Sequence, residues 1–336
     1  MSQSFSIGGL LRRPEAGAFL GLVAVLIFFG IFGGVAFLKP AGMSSWLNVA
    51  ANLGIIAIPV GLLMIAGELD ISVGAMVPFG AMTTAIIAGH WDQSIWLAIV
   101  VTLSFALVIG LVNGLLVIRT AVPSLIVTLG TLFAVQGIVL GMTVLIAKST
   151  SVALKTEGPA KAIFGDFIPV VFKGQLQSIV VWWLLAAAAY VFFVHFSRRG
   201  NWIFAMGGDK VSARNAGIPT ERMTMLLFVL SATSAAFVGM CQAIQFNSAQ
   251  VAGGQSFIFN SIISVVIGGV LLTGGFGSVV GIFFGTITFA VVNQGIYYTD
   301  FDRNWSALII GVLLLIAVLL NNTFRKMALT HAPKKK

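Results

Sequence analysis

Residues 223–299 read MTMLLFVLSATSAAFVGMCQAIQFNSAQVAGGQSFIFNSIISVVIGGVLLTGGFGSVVGIFFGTITFAVVNQGIYYT and hold no Asp, Glu, Lys or Arg. A helix needs about 20 mostly apolar residues to cross a hydrocarbon core of ~30 Å, so this run is long enough for about three passes. Polar or glycine-rich breaks at 247–255 and 273–278 divide it at suitable intervals. Between the breaks apolar residues follow one another without alternation, whereas a barrel strand alternates apolar and polar positions over about ten residues. The reading is therefore a bundle of membrane-spanning helices.

The rest of the chain extends this pattern. Uncharged runs cover 16–38, 40–67, 71–91, 93–118, 120–147, 174–197 and 304–324. Counted with the long run they predict an all-α integral membrane protein of about ten transmembrane helices. Composition agrees: 58% of the 336 residues are hydrophobic and 9% charged, too apolar for a soluble domain to cover with a polar surface. The expected organisation is an N-terminal segment 1–15, one transmembrane domain 16–324 without an appended soluble domain, and a basic tail 325–336. Arg12 and Arg13 precede a first run long enough to span, with no clear small-residue cleavage site after it, so it reads as a retained helix rather than a signal peptide. An even number of crossings puts both termini on one side. If that side is cytoplasmic it receives Arg12, Arg13, Arg119, Arg198, Arg199, Lys210, Arg214, Arg222 and the tail, the richer share of Lys and Arg. The net charge of +9 then reflects topology and attraction to anionic lipid rather than nucleic-acid binding.

The longest connections are 148–173, expected outside, and 197–222, expected inside. The outer one, with Gly158, Pro159, Gly165, Asp166 and Pro169, reads as a surface loop carrying a short helix. The inner one holds start and stop signals for another: Asp209 to cap its N-terminus, Gly217 to take the left-handed conformation at its end, and Pro219 to prevent continuation. Such an element suits either an amphipathic linker on the lipid surface or a lever transmitting force from a docked protein.

Several segments carry a family resemblance. Met206-Gly207-Gly208-Asp209 followed by Arg214-Asn215-Ala216-Gly217-Ile218 resembles the cytoplasmic coupling loop of the ribose/xylose/arabinose-type ABC permeases, within the branched-chain amino acid and sugar permease superfamily. Gly67-Glu68-Leu69-Asp70-Ile71-Ser72-Val73-Gly74 and Pro123-Ser124-Leu125-Ile126-Val127-Thr128-Leu129-Gly130 resemble two further signatures, and 264–281 and Asn293-Gln294-Gly295-Ile296 two more, in family order from about residue 48 to 321. The resemblance implies a bundle in the bacterial cytoplasmic (inner) membrane that works with a cytoplasmic ABC ATPase, a periplasmic or lipid-anchored sugar-binding protein and a second permease subunit, identical or related. It further implies that ATP is used by the partner ATPase and that this chain binds no cofactor. The chain has no Gly-x-x-x-x-Gly-Lys-Ser/Thr phosphate loop, which fits that division of labour. Two departures stand out: Gln136 occupies a place where many relatives carry Arg, and Phe257-Ile258-Phe259-Asn260-Ser261 one where relatives often have an acidic run.

The candidate ATPase-coupling residues are thus Gly207, Gly208, Asp209, Arg214, Asn215, Ala216 and Gly217. Glu68, Asp70, Ser72 and Gly74 form a structural motif between two apolar runs. There Asp70 can cap the helix that follows, or the broken backbone can line a substrate path. Intramembrane amides either hydrogen-bond helix to helix or face a passage for an uncharged polyhydroxylated substrate, and Gln136, Asn260 and Asn293 are the path candidates. Cys241, inside a run, cannot pair within the chain. No metal-ligand set or catalytic constellation is visible in the sequence, which points to transport rather than catalysis. An ion-coupled secondary transporter is disfavoured because nearly all charges fall in loops. A passive channel would need no docking surface for a motor. The function expected is the permease subunit of an ATP-binding cassette importer for a monosaccharide or small polyol.

Overall fold

The computed structural model describes residues 14–169, 171–300, 302–305 and scattered positions between 308 and 319. The expected last crossing, 304–324, lies largely outside the described residues, as do Arg12, Arg13 and the tail 325–336.

The chain is mostly helical. Helices α1 (Pro14–Phe32) and α2 (Gly34–Leu38) lead into α3 (Pro40–Ile65), α4 (Val73–Ala85), α5 (Ile95–Arg119) and α6 (Ser124–Ala147), with α4 prolonged by a π turn over Ile86–His90. Strand β1 (Ser151–Ala153), helix α7 (Pro159–Phe164) and strands β2 (Phe167–Ile168) and β3 (Leu176–Gln177) follow. Then come α8 (Ile179–His195), α9 (Arg198–Gly208), α10 (Lys210–Asn215), α11 (Thr220–Phe246), β4 (Ser248–Gln250), α12 (Gln255–Ile267) and α13 (Val279–Gly295). Among the described residues seven helices are long and apolar enough to cross a membrane, or eight if the bent pair α8–α9 is one span.

Burial ranks the helices. In α3, 83% of the apolar window is buried, against 28% in α5 and α6 and 22% in α1. Since α5 is as apolar as α3 yet exposes Val100, Phe105 and Val108, it belongs to the outer ring, facing lipid or another apolar surface. Helix α3 is the central post, touched by α8, α11, α12 and α13, while α11 lies along α4 and α5. Small residues allow these approaches: a Cβ on Gly80 would overlap the Ala236 backbone, and one on Gly239 would overlap Val77. The Gly277-x-x-x-Gly281-x-x-x-Gly285 spacing likewise serves packing, Gly281 against Gly268 and Gly285 against Ser264.

Two features differ from the sequence expectation. The middle pass of residues 223–299 is α12, of 13 residues. At 1.5 Å per residue it spans about 20 Å, short of a full crossing. It stops at Gly268 rather than at 273 because Gly269 takes a left-handed φ of 89° and lets the Val270 N–H bond the Val265 carbonyl, a hydrogen-bonded helix stop that the apolar stretch after it disguises. The second difference is α9, bent 76° from α8, in a segment expected to hold only one short helix further on. Ser197 starts it by accepting the Arg199 N–H.

The 148–173 connection is a surface loop with a short helix, as expected, and it also pairs with the chain. Strand β1 runs antiparallel to β4, with Val152 opposite Ala249. On α7, Lys161 donates to the carbonyls of Ile244 and Gln245 at 2.6 and 2.8 Å, satisfying groups that the last turn of α11 leaves open.

Candidate functional site

Helix α3 ends where Gly67 adopts φ 86° and the Glu68 N–H bonds the Leu63 carbonyl. Residues 67–72 then run irregularly, with Glu68, Asp70 and Ser72 buried, and the backbone groups beside them need partners. Helix α6 supplies them. Ser124 accepts the Leu69 N–H at 3.0 Å and Thr128 the Ile71 N–H at 3.3 Å. Asp70 accepts both the N–H and the hydroxyl of Ser72, at 2.9 and 2.6 Å, and Asn113 on α5 donates to that hydroxyl at 3.0 Å. Thr131, one turn beyond Thr128, donates to Asn113 at 2.6 Å. Asp70 therefore ties down the Ser72 N–H as anticipated, but α4 begins at Val73, after the hydroxyl network, instead of directly at Ile71. Gly74 is buried in α4, where a Cβ would strike Ile258 of α12.

A second broken segment meets the first. The turn after α12 carries Gly274 and Gly275, both with positive φ, and the Gly275 N–H bonds the Ile65 carbonyl at 2.8 Å. Into the same place comes the end of α9: a Cβ on Gly207 would overlap both the Ile65 oxygen and the Gly275 nitrogen. Lys210, the first residue of α10, forms an ion pair with Glu68. Three segments far apart in sequence thus share one junction at this end of the bundle.

From the junction α10 projects outward. Its N-terminus is capped by Asp209, which accepts the Ser212 N–H at 2.5 Å, and hydrogen bonds from Ser212 hold the Asp209 carboxyl below its usual range. Its end is the expected stop: Gly217 at φ 83°, with the Ile218 N–H on the Ala213 carbonyl, followed by Pro219. Gly208, Asp209, Arg214, Asn215, Ala216 and Gly217 are exposed there, and Arg214 pairs with Glu221 at 3.3 Å.

At the opposite end of α3 a cavity of about 250 Å³ opens, lined by Asn48, Asn52, Gln177, Gln242, Asn260 and Asn293 together with Phe257 and Phe289. Asn260 and Asn293, two of the path candidates, come together here. Gln136 does not join them; it is half-buried on α6, in the outer part of the bundle.

Residues 42–318 match the family model described as branched-chain amino acid transport system / permease component. The chain belongs to that family. Among its relatives are the fructose import permease protein of Rhizobium meliloti, 29% identical over 95% of this chain and 88% of the relative, and the xylose/arabinose import permease protein of Sulfolobus acidocaldarius, 30% identical over 94% and 86%. The galactose/methyl galactoside import permease protein of Escherichia coli is 28% identical over 93% and 95%. No solved structure matches at a significant level. The family resemblance read from the motifs is borne out, and this permease is a multi-pass membrane protein and a transport subunit. Reading by sequence missed Ser124, Thr128, Thr131, Asn113 and Lys210 as partners of the 67–74 motif. The available signal was the spacing of Ser124, Thr128 and Thr131, four and then three residues apart, which sets them on one helical face.

Proposed function

We propose that this permease is the membrane-spanning subunit of an ATP-binding cassette importer for a monosaccharide or small polyol, with about ten crossings and both termini cytoplasmic. The exposed corner Gly208–Gly217 receives a cytoplasmic ATPase, a sugar-binding protein delivers the ligand from the other side, and a second permease subunit, identical or related, completes the passage. The observation that carries this reading is the junction of Ile65, Gly207 and Gly275 with the Glu68–Lys210 pair, behind an exposed, doubly capped helix. A push on α10 reaches the end of α3 directly, and through it the broken segments that precede α4 and follow α12. That is the requirement for a lever, whereas a surface linker has no need of contact with two broken membrane segments. The substrate names of the relatives support the sugar class.

The test is ATP-dependent uptake of labelled monosaccharides by proteoliposomes holding this permease, its ATPase and its binding protein. Uptake that needs both partners establishes the importer. Flux persisting without them points instead to an ion-coupled carrier or passive channel. A bulky residue at Ala216, as in Ala216→Trp, is expected to leave the protein inserted and folded while uncoupling ATP hydrolysis from uptake.

A further inference from the structure

The amide-lined cavity has a composition that selects a ligand class. Its lining contains no Asp, Glu, Lys or Arg, and the adjoining cavity of about 260 Å³, which shares Gln242 and Phe246, contains none either. A charged ligand there would find no counter-ion, and an unpaired charge is costly to bury. A purely apolar ligand would leave the amides without partners. What matches is a neutral molecule rich in groups that both donate and accept hydrogen bonds, with an apolar face for Phe257 or Phe289.

The amides are already partly committed in a way that leaves specific atoms open. Gln242 donates to Asn52 at 3.1 Å, Asn52 to the Asn48 carbonyl at 2.8 Å, and Gln294 to Asn293 at 2.9 Å. These bonds fix the rotamers of Gln242, Asn52 and Asn293. The carbonyl of Gln242, the NH2 of Asn293 and the whole amide of Asn260 have no partner among the described residues. Free acceptors and donors from α11, α12 and α13 therefore converge on one volume. At about 250 Å³ it lies just under the ~300–1,000 Å³ usual for ligand pockets, a size that suits one sugar ring.

We propose that this cavity is a transit station for a single neutral polyhydroxylated ring, in which Gln242, Asn260 and Asn293 contact the hydroxyls. The proposal rests on the transport reading above and adds a place and a chemistry to it. Neutral hydrogen bonds contribute little each, and a station on a transport path must release what it binds. Its position suits this role: Asn52 lies about 20 Å along α3 from the Ile65 junction, at 1.5 Å per residue, so it is reached from the side opposite the α10 corner.

The experiment uses the assembled complex in proteoliposomes with the sugar that the wild type takes up. Asn260→Leu and Gln242→Leu are expected to lower uptake about 3- to 30-fold at saturating loaded binding protein, while ATP hydrolysis stimulated by that protein stays within about twofold. Asn260→Gln is expected to recover part of the loss, and Gln136→Leu, outside the cavity, to have no comparable effect. In a second measurement the Asn260→Cys complex is treated with a small polar thiol reagent. The transported sugar is expected to slow labelling, and the corresponding sugar acid to leave it unchanged. Full uptake in both leucine variants, or loss of uptake and ATP hydrolysis together, or labelling indifferent to the sugar, would each overturn the station while leaving the importer reading intact. Absence of ATP-dependent uptake by the wild type would remove both.

Discussion

At the scale of single residues, Asp70 and Glu68 do different work although they stand two positions apart. Asp70 is 1% exposed, and its Oδ1 accepts two hydrogen bonds from Ser72. Asp70→Ala leaves the Ser72 N–H and the Ser72 hydroxyl proton without their acceptor in a buried place, while the hydroxyl oxygen keeps its bond from Asn113, and is expected to cost about 1–3 kcal/mol; Asp70→Asn keeps an acceptor and is expected to cost less. The thermal midpoint of the detergent-solubilised protein checks the order. Glu68 faces Lys210, whose side chain is 42% exposed, so the pair is expected to add at most about 1 kcal/mol to stability. Its effect belongs to the link between α10 and α3. Glu68→Gln is expected to raise the ATP hydrolysed per sugar imported with little change in thermal midpoint, and the exchanged pair Glu68→Lys with Lys210→Glu to restore the ratio in part. A ratio unchanged in Glu68→Gln would show that the ion pair carries no force.

At the scale of elements, the adjacent glycines at the end of α9 are inequivalent. Gly207 is in contact with the Ile65 and Gly275 backbones, whereas a Cβ on Gly208 meets nothing within 4 Å. Gly207→Val is therefore expected to separate α9 from α3 and abolish recovery of folded protein, and Gly208→Ala to be recovered at wild-type yield; size-exclusion profiles of the two report this directly. The sequence placed both residues in the coupling motif without distinguishing them, since the glycine pair is the same chain chemistry until a second backbone comes within reach. The stops and starts of α10 were different. Asp209, Gly217 and Pro219 act on their own neighbours, so their roles could be read from the string. Helix α9 went unread because its inward residues, Gly200, Ile203 and Met206, include a glycine and lie among arginines and polar groups.

At the scale of the whole molecule, the distribution of charge sets the orientation proposed here, with the α10 corner inside and the 148–173 loop outside. Cysteines introduced by Lys155→Cys and Val211→Cys test it, because both positions are exposed and the native Cys241 is 1% exposed. In intact cells a membrane-impermeant maleimide is expected to label the first and to reach the second only after permeabilisation. The opposite pattern would invert the molecule. The poorly buried α5 and α6 present apolar area to lipid or to another apolar surface, and the long 148–173 connection holds the end of α11 through Lys161 and the β1–β4 pair.

The sequence by itself determined that this is a helical membrane protein, where most of its helices break, how α10 begins and ends, and to which family the chain belongs. Each of these depends on local composition, on caps a few residues long or on motifs quoted in order. Only the tertiary structure decided that Ile65, Gly207 and Gly275 meet, that Lys210 finds Glu68, that a row of hydroxyls on α6 holds the broken segment, and that Asn260 and Asn293 share a cavity from which Gln136 is absent. The physical reason is rotation. A soluble helix declares its buried face by an apolar stripe, but a helix in a bilayer is apolar all round. Which way each helix turns is then set by glycine contacts and a few polar bonds between segments distant in the chain, and these are present only in the assembled bundle.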